Sequence, residues 1–208
     1  MLEKIFNDKQ GSMLALLFVA TSIYTGILVY LQTVIGVSYW DIFVYLDNAM
    51  LFSHINIGSQ LSVPPVLSLL TSIPFQLGFI CESSLFVVSG ILFVFVILAF
   101  YLILCERFNP VESFMGALIF SMFSLVVTWA VSGSNDLPAL CFSLWAFYMT
   151  YKGVNNGFKY YYPAFAFFVL AFFTRFTQGF VLIVMLCYML INYNRVRLQL
   201  TRGNLLKF

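Results

Sequence analysis

Residues 13–35 read MLALLFVATSIYTGILVYLQTVI, and residues 84–104 read SLFVVSGILFVFVILAFYLIL; neither run contains a charged side chain. Each is about the length a helix needs to cross the hydrocarbon of a bilayer. Across lipid, every backbone N–H and C=O must be satisfied inside the segment, so runs like these fold as helices. The rest of the chain is no more polar. Of 208 residues, 62% are hydrophobic and 9% charged, where soluble domains carry about a quarter charged residues. A water-soluble fold of this size has no interior large enough to hide that surface. The expected class is an all-α polytopic membrane protein.

Six spanning helices are expected, at about 13–35, 84–104, 111–131, 136–151, 160–174 and 177–193. The first run is too long for a signal-peptide core and has no small-residue cleavage site, so it reads as a retained anchor. A mixed segment at about 36–83 separates the first two spans. Within it, VPPVLSLLTSIPFQLGF (63–79) either spans or lies in the interface. The cations decide between these, because cytoplasmic loops collect Lys and Arg. If 63–79 does not span, Lys4, Lys9, Arg107, Lys152, Lys159, Arg195, Arg197, Arg202 and Lys207 fall on one side and Arg175 alone on the other. Both termini are then cytoplasmic and the 36–83 loop is extracytoplasmic. The whole chain, 1–208, reads as one transmembrane domain.

This topology puts Asp41, Asp47, Glu82 and Asp136 on the outer side with Arg175 and the sole histidine, His54. Ionisable residues at a membrane surface are candidates for function. On a helix beginning near Trp40, Asp41, Tyr45 and Asn48 share one face, and Asp47 lies off it. Ile42, Leu46, Ala49 and Met50 form an apolar face expected to rest in lipid. Each residue also has a structural reading. Ser38-x-x-Asp41 fits a capping box, and Asp136 two residues before Pro138 fits a helix start. Glu82 fits a cap on the second span, Arg175 a snorkelling cation, and His54 a surface polar residue. Trp129 and Tyr160–Tyr162 read as interfacial belt residues. Cys81, Cys105, Cys141 and Cys187 lack CxxC spacing and read as apolar packing residues, so neither a disulfide framework nor a metal site is expected. Basic residues do not cluster with spaced aromatics, and no nucleic-acid partner is expected.

Four stretches carry a family resemblance: YWDIFVYLDNAMLF, VPPVLSLLTSIPFQLGF, SGSNDLPAL and LAFFTRFTQGFVLIV. They resemble, in order, the first outer-loop motif, the Pro-Pro juxtamembrane helix, the Asp-headed span and the Leu-Thr-Lys/Arg turn of GT-C glycosyltransferases. The similarity is to the amino-terminal half of the protein-mannosyltransferase type, archaeal members in particular. It implies a polyprenyl-phosphate-linked sugar as donor, with its lipid in the bilayer and its head group in an outer cavity. It implies Asp41 as general base and Arg175 as binder of the leaving phosphate, with Asp136 as an orienting carboxylate. Tyr45 and Asn48 are supporting residues beside Asp41. His54 stands nearest to where relatives carry a cation by the Pro-Pro helix. The resemblance further implies that the chain is the amino-terminal module of a longer enzyme. It does not fix the sugar, the acceptor or any cofactor. The rival expectation is a non-catalytic bundle, transporter-like or a scaffold. A transporter would show internal repeats and paired broken helices, and the sequence shows no repeat.

Overall fold

The computed structural model describes residues 2–55 and 63–198, with side chains from Lys9 onward. Residues 56–62 of the expected outer loop, the side chain of Lys4, and Arg202 and Lys207 lie outside the described residues. The described part is helical: α1 (Leu2–Ile35), α2 (Asp41–Phe52), α3 (Val66–Gln76), α4 (Glu82–Leu104), α5 (Pro110–Met122), α6 (Ser124–Ala130), α7 (Asp136–Asn156), α8 (Tyr161–Thr174) and α9 (Phe180–Ile191). Short 3₁₀ turns at Phe158–Tyr160 and Phe176–Gly179 lead into α8 and α9.

The expected all-α membrane class holds, and not all of the six expected spans are carried by helices of crossing length and apolarity. By length and apolarity, α1 over Lys9–Ile35 and α4 are each able to cross a bilayer. The expected span at 111–131 is broken. It divides into α5 and α6, bent by 69°, with Phe123 extended at the break (φ −59°, ψ 129°). Counted as one span, the bent pair would be a third crossing helix. α7 has the length but carries Lys152, Asn155 and Asn156, and it does not reach the same apolarity. α8 and α9 are 14 and 12 residues long, about 21 and 18 Å at 1.5 Å per residue.

Packing contacts set the direction of each helix. α1 and α4 run antiparallel, and Gly90 allows their close approach. A Cβ there would lie 2.8 Å from Val29 and 2.9 Å from Thr25. At the other end of this pair, Tyr101 donates from its hydroxyl to the Gln10 carbonyl at 3.0 Å. α4 and α7 instead run parallel. Leu85 packs on Gly133 just before α7, Trp145 Nε1 donates to the Phe95 carbonyl at 3.2 Å, and Lys152 pairs with Glu106 at 2.6 Å. α8 returns antiparallel to α7, Phe167 lying on Phe142 and Trp145. α9 turns back again, Ser143 donating to Gln178 Oε1 at 3.0 Å just ahead of it and Tyr188 touching Phe147 and Tyr151. The result is a bundle with two distinct ends. One end holds the close of α1, α2, Glu82, Trp129, Asp136 and Arg175. The other holds Glu106, Arg107, Lys152, Lys159 and Arg195.

α3 is 11 residues long, about 16 Å, too short to span. This agrees with the reading in which 63–79 does not cross. It buries Val66, Leu67, Thr71 and Phe75 and packs with α2 over the head of α4. That covering overturns the expectation for the apolar face of α2. Ile42, Leu46 and Ala49 are buried in the protein core and do not rest in lipid. Hydrophobic periodicity identifies an apolar face but not what covers it.

Candidate active site

Four of the residues singled out at the outer side, Asp41, Tyr45, Asp136 and Arg175, meet in one open cavity of about 270 Å³, where Asn135 joins their polar wall. Tyr39, Ile42, Pro64, Trp129 and Ser134 complete it.

Asp41 is the first residue of α2. The capping box expected from Ser38 is not formed. The N-cap is Trp40 and no side chain caps the helix, while Ser38 Oγ lies 3.4 Å from Gln32 Nε2. Asp41 is therefore not held as half of a capping box. It is exposed at the cavity, at a helix N-terminus whose partial positive charge favours a carboxylate. Ile42, the next residue, turns inward against Gly133, whose added Cβ would stand 3.6 Å from Ile42 Cγ1 and 2.8 Å from Leu85 Cδ2. Gly133 also has φ +83°, a conformation that side chains with a Cβ rarely adopt. A glycine at this point sets the first turn of α2 beside the entry to α7.

Asp136 begins α7, with Pro138 in the first turn, so the helix-start reading was sound in place. The carboxylate is nevertheless fully engaged. Ser134 Oγ donates to Asp136 Oδ2 at 2.7 Å and accepts from its backbone N–H at 3.1 Å. Asp136 Oδ1 forms an ion pair with Arg175 Nη1. Arg175 ends α8 by going extended, at φ −154° and ψ 116°. It is thereby turned across the open end of the α7–α8 hairpin to Asp136. Both side chains of the pair remain more than a third exposed, so solvent screens their attraction.

Tyr45 lies one turn beyond Asp41. Burial, then the Asp41 charge, raises its phenol above the ordinary value, while Arg175 pulls the other way. Tyr45 thus stays a neutral donor at physiological pH.

Two supporting candidates fall elsewhere. Asn48 is fully buried beneath α2, and neither of its amide atoms has a hydrogen-bond partner among the described residues. It is covered along with Ile42, Leu46 and Ala49 and does not line the cavity. His54 lies two residues past the far end of α2, with φ +59°, and it too is outside the cavity. Glu82 lies in the first turn of α4, but the N-cap is Cys81, without a side-chain cap bond.

Sequence reading did not assign several parts of the wall to the site. Trp129, taken as a belt residue, stacks on Tyr39 with ring centroids 5.1 Å apart. Asn135 has a buried Oδ1 without a partner among the described residues. Pro64 contributes from the Pro-Pro turn. The only signal for Tyr39 was its place two residues before Asp41. The cysteines are free, and among the described residues no group of three or more His, Cys, Asp or Glu side chains is placed to hold a metal ion.

The sequence pattern of the dolichyl-phosphate-mannose-protein mannosyltransferase family matches residues 62–206. The chain belongs to that family. No curated protein and no solved structure matches it. Membership makes this mannosyltransferase-family chain an integral membrane protein of the glycosyltransferase class. The matched region includes Asp136 and Arg175 and begins after Asp41 and Tyr45. All four residues line the same cavity.

Proposed function

We propose that the chain forms the donor cavity of a membrane mannosyltransferase that moves a sugar from a polyprenyl phosphate to a hydroxyl-bearing acceptor. Three features support this reading: the family, the apolar helices beneath the cavity, and one observation that carries it. An exposed carboxylate on α2 and a carboxylate-oriented guanidinium on the α7–α8 hairpin open into the same space.

The chemistry follows from the groups. The acceptor oxygen attacks C1 of the sugar while Asp41 takes its proton. The C1–O bond to phosphate breaks, and its electron pair leaves with the phosphate. Arg175 balances that developing charge. A guanidinium suits the task because it is always protonated and presents a planar fork to phosphate oxygens. Asp136, held by Ser134, orients the fork and also competes with the phosphate for it. Tyr45 supplies a neutral hydroxyl to the donor. The helix N-termini of α2 and α7 add partial positive charge beside an incoming anion.

The segregation of charges between the bundle ends supports an extracytoplasmic cavity with cytoplasmic termini. A transporter reading would call for paired broken helices, whereas the described residues contain one bent pair, α5–α6.

The test is donor choice. Membranes containing the protein should transfer labelled mannose from polyprenyl-phosphate mannose and not directly from a nucleotide sugar. Transfer only from the nucleotide sugar, or donor uptake without transfer, would overturn the reading.

A further inference from the structure

The bundle end opposite the candidate active site holds a second cavity, of about 170 Å³, between the C-terminal parts of α4, α7 and α9. Along α7, Lys152 at this end is about 24 Å from Asp136. The floor is apolar, from Ile103 and Phe147, and the upper wall is Tyr148, Tyr151 and Tyr188. Tyr151 and Tyr188 stack at 6.0 Å, and Tyr188 meets the edge of Phe147 at 5.9 Å. The aromatic rings of this wall brace one another.

The charges here are unequal. Glu106 lines the cavity, but its carboxylate is held by Lys152 at 2.6 Å, and Lys152 also lies 5.4 Å from the centre of the Tyr148 ring. That acid is therefore already neutralised. Arg107, also in the wall, is exposed and has no acid within ion-pairing distance among the described residues. Nearby Glu112 is occupied in the capping box of α5. Glu106, Lys152 and Arg107 together leave one positive charge facing the cavity. Farther out, Arg195 donates to the neutral Asn155 Oδ1 at 2.7 Å, so its charge is not cancelled there. The α9 surface below, on the bilayer side of Tyr188, exposes Ile183, Val184 and Leu186 at 63%, 44% and 44%.

A ligand matching this arrangement carries one negative charge above apolar chains. We propose that this cavity is a binding site for the head group of an anionic phospholipid. The phosphodiester meets the Arg107 fork, the tyrosine wall flanks the glycerol, and the acyl chains run along the exposed side of α9. Basic pockets between transmembrane helices bind such head groups by this combination of charge and chain burial. The site is separate from the sugar-transfer cavity and does not depend on its chemistry. It would make the packing of α4, α7 and α9 respond to the anionic lipid content of the membrane.

The experiment uses the detergent-purified protein. Thermal unfolding and native mass spectrometry are run with phosphatidylglycerol, phosphatidylcholine or inorganic phosphate added. The expected result is that phosphatidylglycerol raises the midpoint and stays bound, while phosphatidylcholine and inorganic phosphate do neither. Arg107→Gln should weaken phosphatidylglycerol binding about 10- to 100-fold, the range set by a charge-assisted hydrogen bond, and Arg107→Lys should weaken it less. Lys159→Gln, at the same end but outside the cavity, should leave it unchanged. Equal binding of phosphatidylcholine would remove the role of charge. An equal effect from inorganic phosphate would make the ligand a free anion and not a lipid. Equal loss in Lys159→Gln and Arg107→Gln would reduce the binding to diffuse attraction. Each of these three results overturns the proposal.

Discussion

Asp136 and Arg175 close the α7–α8 hairpin with an ion pair at the mouth of the cavity, and the acid is fixed from behind by Ser134. The arginine is therefore aimed before any ligand arrives. Arg175→Ala is expected to lose donor binding, and Arg175→Lys to lose less, since lysine keeps the charge and gives up the fork. Charge-assisted contacts of this kind contribute about 1.5–3 kcal/mol. Asp136→Asn should not weaken donor binding, because it removes the anion that competes with the phosphate for Arg175, and should lower turnover, because it releases the guanidinium from its orientation. Donor-binding isotherms measured beside transfer rates separate the two effects. Undiminished donor affinity in Arg175→Ala would return Arg175 to a purely structural role.

Asp41 and Asp47 occupy the same helix and different surroundings. Asp41→Asn is expected to abolish transfer with folding and donor binding intact, since asparagine is nearly the same size and cannot accept the proton. Asp47→Asn should be mild, because Asp47 does not line the cavity. Ser38→Ala should be silent, as no capping bond reaches the start of α2. Initial rates for the three variants decide the matter. A fully active Asp41→Asn protein would leave the acid with no chemical task.

Gly133 combines a positive φ with a neighbour that an added Cβ would meet at 2.8 Å. Gly133→Ala is expected to cost about 1–3 kcal/mol from the backbone conformation alone. It should also push the first turn of α2 away from α7, so transfer falls further than stability predicts. A thermal melt and an activity assay on the same preparation check this. Wild-type values in both would mean the loop relaxes without moving α2.

For Tyr45, burial and Asp41 raise the phenol pKa above 10.0. The unfolded chain gives up this proton at the ordinary value while the folded chain still holds it. Stability is therefore undisturbed below pH 10 and falls as pH rises past it. Tyr45→Phe should flatten that alkaline decline. Denaturation midpoints collected across the alkaline range provide the measurement, and identical slopes in the two proteins would show that Tyr45 does not contribute.

How far the sequence could be read depended on the kind of information each feature needs. α4 was expected at 84–104 and occupies Glu82–Leu104, because an uncharged run of that length has one solution in lipid. The break at Phe123 was not legible. No Gly or Pro stands there, and the nearest local sign is Ser121, whose hydroxyl donates back to the Leu118 carbonyl at 2.7 Å, a bond that bends helices. Asp41, Asp136 and Arg175 were found because charges are scarce in such a chain. Asn48 was misplaced because its face was known and its cover was not. The Tyr39–Trp129 stack joins distant parts of the chain and leaves no periodic trace.

The helix that carries Asp136 at one end and Lys152 at the other is also the long helix whose composition suits a bilayer least. Such a segment partitions poorly when it meets lipid alone. α8 follows it closely, richly apolar and paired along its length with α7. During biogenesis the two should enter the membrane together as a hairpin, with α4 already in place to receive them. Substitutions that make α8 more polar would then surface as failed insertion and degradation of the nascent chain, before catalysis is ever in question.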